Sequence, residues 1–597
     1  MGQMNHNKKK YKSHGGHGTY AMMVLCLLAV CMALPAHAQK NGRKGDEKVY
    51  LDHADELKFD QYAMPGIQVL KGNVRFRYQD TQLSCDSAHF NQEKNTFRAF
   101  GHVRMKKAGG ITLTCQRARY DGRMELVQAR QNVVLSQPGR TLKCDSLDYN
   151  TNINFARYFG GNGGRLVSGK NSVVSMKGEY YMNSHQAYFH DDVVMKSEKY
   201  TIETDNLQYN THTEEAHVTG PSVIKGKNGE VVHTNDGYYY AKTDRMELTG
   251  RSTMTSKERD VEGDNLTYST VTGESEGHGN VKVVDKVGNR TVTGEHLKYN
   301  EKTRKGFGEG KVVYVDMKNK NSLIAEYVNY TDSAAIAYGE PLMKEFSEKD
   351  TLYVRSDTIR MKSFFLNTDS VYREAYCYNN VRAYRRDVQA VCGLLVLNSK
   401  DSCLTMKLDP IVWSDNRQLT GDSIRAYLND STVREAYVYG NAMSIETVND
   451  GKHYNQVAAK EMRAFFEKGK MRRSEAIGNV LSVYFPEEEK DSSLIGLNYL
   501  ETDTLRMYLT PERKLQKIWV SKPVGTLYPM TQIPPGKEKL PAFAWYDYVR
   551  PIDQYDLRRR VGKGDNKPLE RRVVLNRPPR QLIGSPQQQT KPKATDE

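Results

Sequence analysis

The residues that could do chemistry in this chain are one glycine-rich run, a set of cysteines and a recurring carboxylate. The run from Gly164 to Asn171 (GRLVSGKN) keeps the spacing of a phosphate-binding loop up to its last position. There Asn171 stands where a hydroxyl would have to hold a metal. The residues behind it, Val173 to Met176, read as a strand and not as the helix such a loop requires. Gly306 to Gly310 is likewise a turn. Past Cys26 and Cys31 the cysteines are Cys85, Cys115, Cys144, Cys377, Cys392 and Cys403, and none has zinc-ligand spacing. The 15 histidines are scattered. No zinc-protease helix, nucleophile elbow or pair of catalytic carboxylates stands out. The expectation is a protein with no catalytic residues, no metal and no cofactor.

The carboxylates lead back to the element that positions them. Asp205 sits in Ile202 to Gly220 (IETDNLQYNTHTEEAHVTG), and the same phrase returns from Val232 and from Val261. Its skeleton is apolar, any, small, acidic or Asn, any, apolar, any, Tyr. Its aromatic position falls at Phe90, Tyr120, Tyr149, Tyr181, Tyr209, Tyr239, Tyr268, Tyr299 and Tyr330, about 30 residues apart, and weaker copies continue to Met462. An acid repeated in every copy is a structural residue, since an active site is needed once. Cys85, Cys115 and Cys144 occupy the small slot that later holds Thr204, Thr234, Gly263, Gly294, Ala325, Ser356, Cys392 and Gly421. That slot selects for size, and buried free cysteine suits it. Bridges between stacked cysteines, or between Cys392 and Cys403, stay open.

Each copy reads as a strand with a break in phase. In Ile202 to Tyr209, Ile202 and Thr204 share one parity while Leu207 and Tyr209 share the other. Strict alternation forbids this, and a bulge or corner at the acid restores it. A second element, Gly-x-Val, recurs at Gly72, Gly101, Gly279, Gly310 and Gly478 and starts a strand after a bend. Helical periodicity is nearly absent. The stretch Val457 to Gly469 could be a helix and fits better as a repeat copy.

The N-terminus has the grammar of a secretory signal over residues 1–38: Lys8, Lys9, Lys10 and Lys12, an apolar run from Tyr20 to Leu34, and Ala36-His37-Ala38. The alternatives are an uncleaved anchor and, at Cys31, a weak lipoprotein box. The chain has 597 residues, 38 Tyr, 16 Phe, a mean hydropathy of -0.71 and a net charge of +15. Such numbers suit a thin repeat fold with much surface per core residue. The charge points to an anionic neighbour: nucleic acid, a membrane face or a phosphorylated glycolipid.

Export, 30-residue β-repeats, the small-acidic-x-apolar-x-Tyr-Asn unit (Cys144 to Asn150; Thr204 to Asn210) and the Gly-Asn-Val strand starts together resemble the OstA-like family of periplasmic lipopolysaccharide-transport proteins. The resemblance covers roughly residues 48 to 485. It implies an all-β fold: an elongated repeat array forming a twisted β-jellyroll, V-shaped in section, whose two sheets leave an apolar groove. This chain departs from the family in its length and in lacking a large transmembrane barrel. The family implies non-covalent binding of lipopolysaccharide or a related anionic glycolipid in the groove, no nucleic acid, edge-strand pairing with other OstA-like transport proteins, and a periplasmic location.

On that reading Leu83 and Cys85, Leu113 and Cys115, Leu142 and Cys144, and Ile202 and Thr204 are the candidate groove lining; the alternative is that they fill a closed core. The domains expected are the signal peptide (1–38), N-terminal repeats (39–190), middle repeats (191–345), divergent C-terminal repeats (346–532) and a largely disordered Pro/Arg-rich tail (533–597). In that tail FAWYDY, from Phe543 to Tyr548, is an aromatic island that could cap the last rung. The alternative function is an exported adhesive β-solenoid that binds proteins or glycans. A β-helical polysaccharide-acting enzyme would need clustered acids that the sequence does not show.

Overall fold

The structure is a computed structural model that describes residues 48–558, apart from 348, 367, 430, 431, 489, 490 and 513. The signal peptide and the end of the tail lie outside the described residues. The described chain consists of 38 β-strands and four short 3-10 turns. Most strands form an antiparallel hairpin with the next, for example Gln186–Lys196 with Tyr200–Asn210 and that with Glu215–Gly226, while shorter ones skip strands, as Phe155–Tyr158 does to reach Lys177–Tyr181. Val457 to Glu467 belongs to the strand Tyr454–Glu467. The phosphate-loop look-alike is a hairpin between Gly164–Ser168 and Asn171–Ser175.

The break in phase is a bulge, and it recurs along the array. On Tyr200–Asn210 the register shifts between Thr204 and Leu207, so Tyr200, Ile202 and Thr204 face inward on one arm and Leu207 and Tyr209 on the other. The partner strands turn the same corner with two consecutive left-handed residues, such as Gly101 (φ 75°) with His102 (φ 42°) and Gly279 (φ 73°) with Asn280 (φ 47°). Glycine tolerates this without a Cβ penalty. Phe97 and Ala99 then point inward before the corner, Val103 and Met105 after it. One strand therefore contributes to two facing arms.

The two sequence motifs meet at this corner. The valine of Gly-x-Val is the cross-strand partner of the small slot: Val74 opposite Cys85, Val103 opposite Cys115, Val281 opposite Gly294 and Val312 opposite Ala325, with Val381 of Asn379-Asn380-Val381 likewise opposite Cys392. The acid after the small residue lies over the glycine of the next corner, as Asp86 does over Gly101, Asp264 over Gly279 and Asp422 over Gly440. It also bonds the residue that follows: His102 Nδ1 lies 2.8 Å from Asp86, and Asn280 donates to Asp264 at 2.9 Å. At Asp205 this clasp is missing, since Gly220 is followed by Pro221 and has open space around it.

The described residues divide into two compact units, one of those up to 138 with 146–152, the other of 139–145 with those from 153 on. The first is closed around Phe76, Phe90, Phe97 and Tyr120, with Phe76 and Phe97 stacked at 4.4 Å. In the second, Leu142, Leu166, Phe189, Ile202, Leu207 and Tyr209 are buried to 2% exposure or less. In the copy assigned to Tyr181 the inward residue is Tyr180 (4% exposed), while Tyr181 points out (38%). None of the six described cysteines is in a disulfide. Cys403 lies opposite Asn398, and Cys392 pairs with Val381, so the candidate bridge between Cys392 and Cys403 is not formed.

The tail expectation does not hold for residues 533–558, which form an ordered strap across the outer face of the second unit. Three buried glutamines on strands two apart hold it. Gln456 donates to the Glu538 carbonyl and accepts from Leu540 N–H, and Gln418 does the same with Ala544 and Tyr546. Gln389 accepts from Arg550 at 2.7 Å. The strap thus advances six residues per glutamine. Phe543 to Tyr548 does not cap the last rung: Tyr546 is buried against Val391, Ile411 and Trp413.

Candidate functional site

The eight residues singled out by sequence all lie on inward positions. Leu83, Cys85, Leu113, Cys115, Leu142, Ile202 and Thr204 are between 1% and 7% exposed, and Cys144 is half-buried. They sit in a filled interior. Leu83 is opposite Phe76 and Met105, Leu113 opposite Met105 and Leu135, Leu142 opposite Leu166, and Ile202 opposite Met195 and Ile224. Around Thr204 the small slot becomes a buried hydroxyl row, with Ser222 Oγ 2.8 Å from Thr204 Oγ1 and Ser252 Oγ 2.9 Å from Thr234 Oγ1. Burial pushes the thiols of Cys115 and Cys85 up to about 11 and about 12. These copies are core.

In this stretch the free ends of the arms are also tied together. In the first unit Lys107 donates to the Thr151 carbonyl. In the second, Arg140 reaches the Thr211 carbonyl, Asn171 the Tyr209 hydroxyl, and Lys199 both Asp244 and Thr270. Such pairs join the turns of one edge to the turns of the other and shut the interior.

Beyond them the interior of the second unit opens. The slots that hold buried Ile202 and Leu207 upstream hold Val292 and Leu297 here, both half-buried, as are Val261, Tyr268, Val283, Tyr299, Tyr314, Leu323 and Val328. The cause is in the sequence of one arm. Its inward positions shrink from Met246 and Leu248 to Ser275 and Gly277, then Gly306 and Gly308, then Ala335 and Ala337. With no side chain at Gly306, the ring of Tyr330 lies directly against its backbone, and Tyr330 stacks on Tyr299 at 6.1 Å. The result is a trough with a small-residue wall, an aliphatic wall and tyrosines along it. From Arg259–Ser269 to Asn321–Tyr330 it crosses five strands, or about 20 Å at ~4.8 Å per step.

The lips are basic and carry exposed apolar tips. Lys302 and Arg304 lie on a turn of one edge with Lys305 starting the strand behind it, and Lys286, Lys318 and Lys320 lie on turns of the other, all exposed; Arg304 is paired with Asp332 and Lys286 with Asp260. Beside them Val271, Val287 and Met317 are 56%, 78% and 54% exposed. Within the trough, burial followed by the charge of Asp316 pushes Tyr314 up to about 12. The arrangement can take an apolar chain out of water and set anionic groups at its mouth without making or breaking a bond.

The structure also brings together ligand-type residues that the sequence reading left scattered. Glu276 and His278 on one strand meet His296 on the next, on the outer face. The i, i+2 spacing of Glu276 and His278 was the available signal, because such residues share one face of a strand.

Residues 46–205 match the family described as OstA-like protein, and residues 172–274 match the family described as LptA/(LptD N-terminal domain) LPS transport protein. No curated protein matches the chain. Among solved structures, LptH from Pseudomonas aeruginosa, described as the LptA homologous periplasmic component of the lipopolysaccharide transport device, is 11% identical. That match covers 20% of this chain and 82% of LptH, with a TM-score of 0.17.

Proposed function

We propose, from the premise that residues 46–274 are OstA-like and LptA/LptD-N-terminal-like in sequence, that this protein is a periplasmic carrier in lipopolysaccharide transport. It holds the acyl chains of an anionic glycolipid in the trough between residues 259 and 338. The observation that carries the reading is the run of half-buried apolar residues, Val261, Val283, Val292, Leu297 and Leu323, beside the small-residue arm of Gly277, Gly306 and Gly308, where the same slots upstream are fully buried. Half-buried Val292, Leu297 and Leu323 offer the apolar contact, and the basic lips suit sugar phosphates. Binding by shape and burial, with no covalent step, lets the lipid be handed on. Open edge strands of arrays like this one are the natural means of pairing with partners of the same fold.

Photocrosslinking tests this. A crosslinker at Leu297 or Leu323 labels lipopolysaccharide, while one at Ile202 or at outward-facing Lys298 does not. Gly308→Leu fills the trough, since a Cβ there already meets Val312 and Leu297, and abolishes labelling with the fold intact by circular dichroism. Equal labelling at Leu297 and Lys298, or labelling unchanged by Gly308→Leu, overturns the reading. Loss of surface adhesion with lipopolysaccharide placed normally after depletion would favour an adhesive array instead.

A further inference from the structure

We infer that Glu276, His278 and His296 form a binding site for a divalent transition ion of the zinc class, outside the trough. His278 and His296 are register partners on adjacent strands, and their rings stack at 4.0 Å, 15° from parallel. Both Nε2 atoms converge on one oxygen, Glu276 Oε1, at 3.2 and 2.8 Å. Two ligands on one tetrahedral ion, each about 2.1 Å from it, lie about 3.4 Å apart. The three atoms therefore need only small rotamer shifts to admit the ion, and water completes the set.

The next strand supplies the outer carboxylate that such a site uses. Glu309 stands opposite His296, and its Oε2 is 3.8 Å from His296 Nδ1. A bond there fixes the tautomer that presents Nε2 to the ion. Elsewhere this outward row holds one histidine per acceptor, His190 with Asn206 and His217 with Asp236. Two imidazoles on a single carboxylate oxygen exceed what an ordinary hydrogen bond needs. One feature opposes the ion: Lys298 Nζ lies 3.4 Å from the other oxygen of Glu276. Two imidazole nitrogens with a carboxylate oxygen favour Zn²⁺, Co²⁺ or Ni²⁺ over Mg²⁺ or Ca²⁺.

The placement gives the ion a task. Glu276 and His278 flank Gly277, and Glu309 follows Gly308, so the site lies on the back of the small-residue wall. There the inner face contributes little packing, and an ion would pin two strands together from outside, with Glu309 engaging a third.

The test uses the full chain after chelation, with Zn²⁺ in calorimetry and Co²⁺ as a spectroscopic probe. One equivalent of Zn²⁺ should be lost in His278→Ala and in His296→Ala and kept in His212→Ala, which alters another stacked histidine pair (His185 and His212, 5.4 Å apart). Glu309→Gln should weaken that equivalent by about 10–100-fold, and Lys298→Met should tighten it. The visible bands of Co²⁺ should vanish with His278→Ala, an exposed position whose loss leaves the fold unchanged by circular dichroism. Equal Zn²⁺ stoichiometry and Co²⁺ spectra in the wild-type chain and His278→Ala overturn the proposal.

Discussion

Asp264 holds its carboxylate over the α-carbon of Gly279 on the neighbouring strand and accepts a hydrogen bond from Asn280 at 2.9 Å. The repeat's acid and its glycine are one device, a clasp that fixes the corner. Gly250 supplies an internal control: its φ is 74° against 73° for Gly279, but open space surrounds it. Gly250→Ala should cost only the left-handed backbone strain, about 1 kcal/mol. Gly279→Ala should cost clearly more, because the new methyl collides with Asp264. Thermal melts of the two variants decide it, and equal melting temperatures would remove the clasp as a source of stability.

The cysteine slot predicts a reactivity pattern. Burial pushes Cys377 and Cys392 up to about 12, as it does Cys85. A thiol needs its thiolate to react. In the folded protein these three should resist maleimide at neutral pH, while half-buried Cys403 labels first. Mass spectrometry of the labelled chain, before and after denaturant, reads the order. Early labelling of Cys377 would contradict its packing.

How much of this was legible beforehand depends on the range of each cause. The bend at the acid could be read because alternation is local, and Ile202, Thr204, Leu207 and Tyr209 cannot all face inward on a flat strand. Which copies are filled could not, because the state of the interior at Ile202 depends on Met195 and Ile224 across the ladder and on Lys199 reaching Asp244 at the lip. The slot was found, but in copies with a closed interior, and its open versions at Val292 and Leu323 face glycines about fifteen residues away along the chain. Gln418 gave no signal at all, since its partners Ala544 and Tyr546 are more than a hundred residues on.

That glutamine predicts a local loss of order. Gln418 is 1% exposed and meets both a carbonyl and an N–H of the strap at 2.7 Å. Gln418→Ala strands both backbone groups in an apolar site, at about 1–3 kcal/mol for each buried group left unpaired. Hydrogen exchange at Tyr546 should rise sharply, and fluorescence should report the loosened cover on Trp413, which is fully buried under Tyr546. The amides of Ile202 and Leu207 should be unaffected. A Gln418→Ala chain with wild-type protection at Tyr546 would show that apolar contacts alone hold the strap.

Asp316 predicts an acid-sensitive contribution. Burial works against its charge, but the N–H and Nδ2 of Asn319, the Tyr314 hydroxyl and Arg290 outweigh this and hold the carboxyl below its ordinary value of 3.8. With the folded value below the unfolded one, the stabilisation is present above the unfolded value and is lost as pH falls through the folded value. Asp316→Asn should therefore lower stability at pH 7, by about 1–3 kcal/mol, and flatten the fall in stability below pH ~4. Urea melts from pH 7 to pH 3 compare the two slopes, and parallel curves would refute the assignment.

The strap's path also orders events in time. A chain emerging from synthesis or export presents Val391, Trp413 and Ile445 well before Leu540, Tyr546 and Val549 exist to cover them. For that interval the outer face of the second unit is a greasy, glutamine-studded sheet awaiting residues 533–558. Anything that holds the chain in this period competes with the strap for the same three amides. Docking of residues 533–558 thus closes an apolar surface that the sheet alone leaves open.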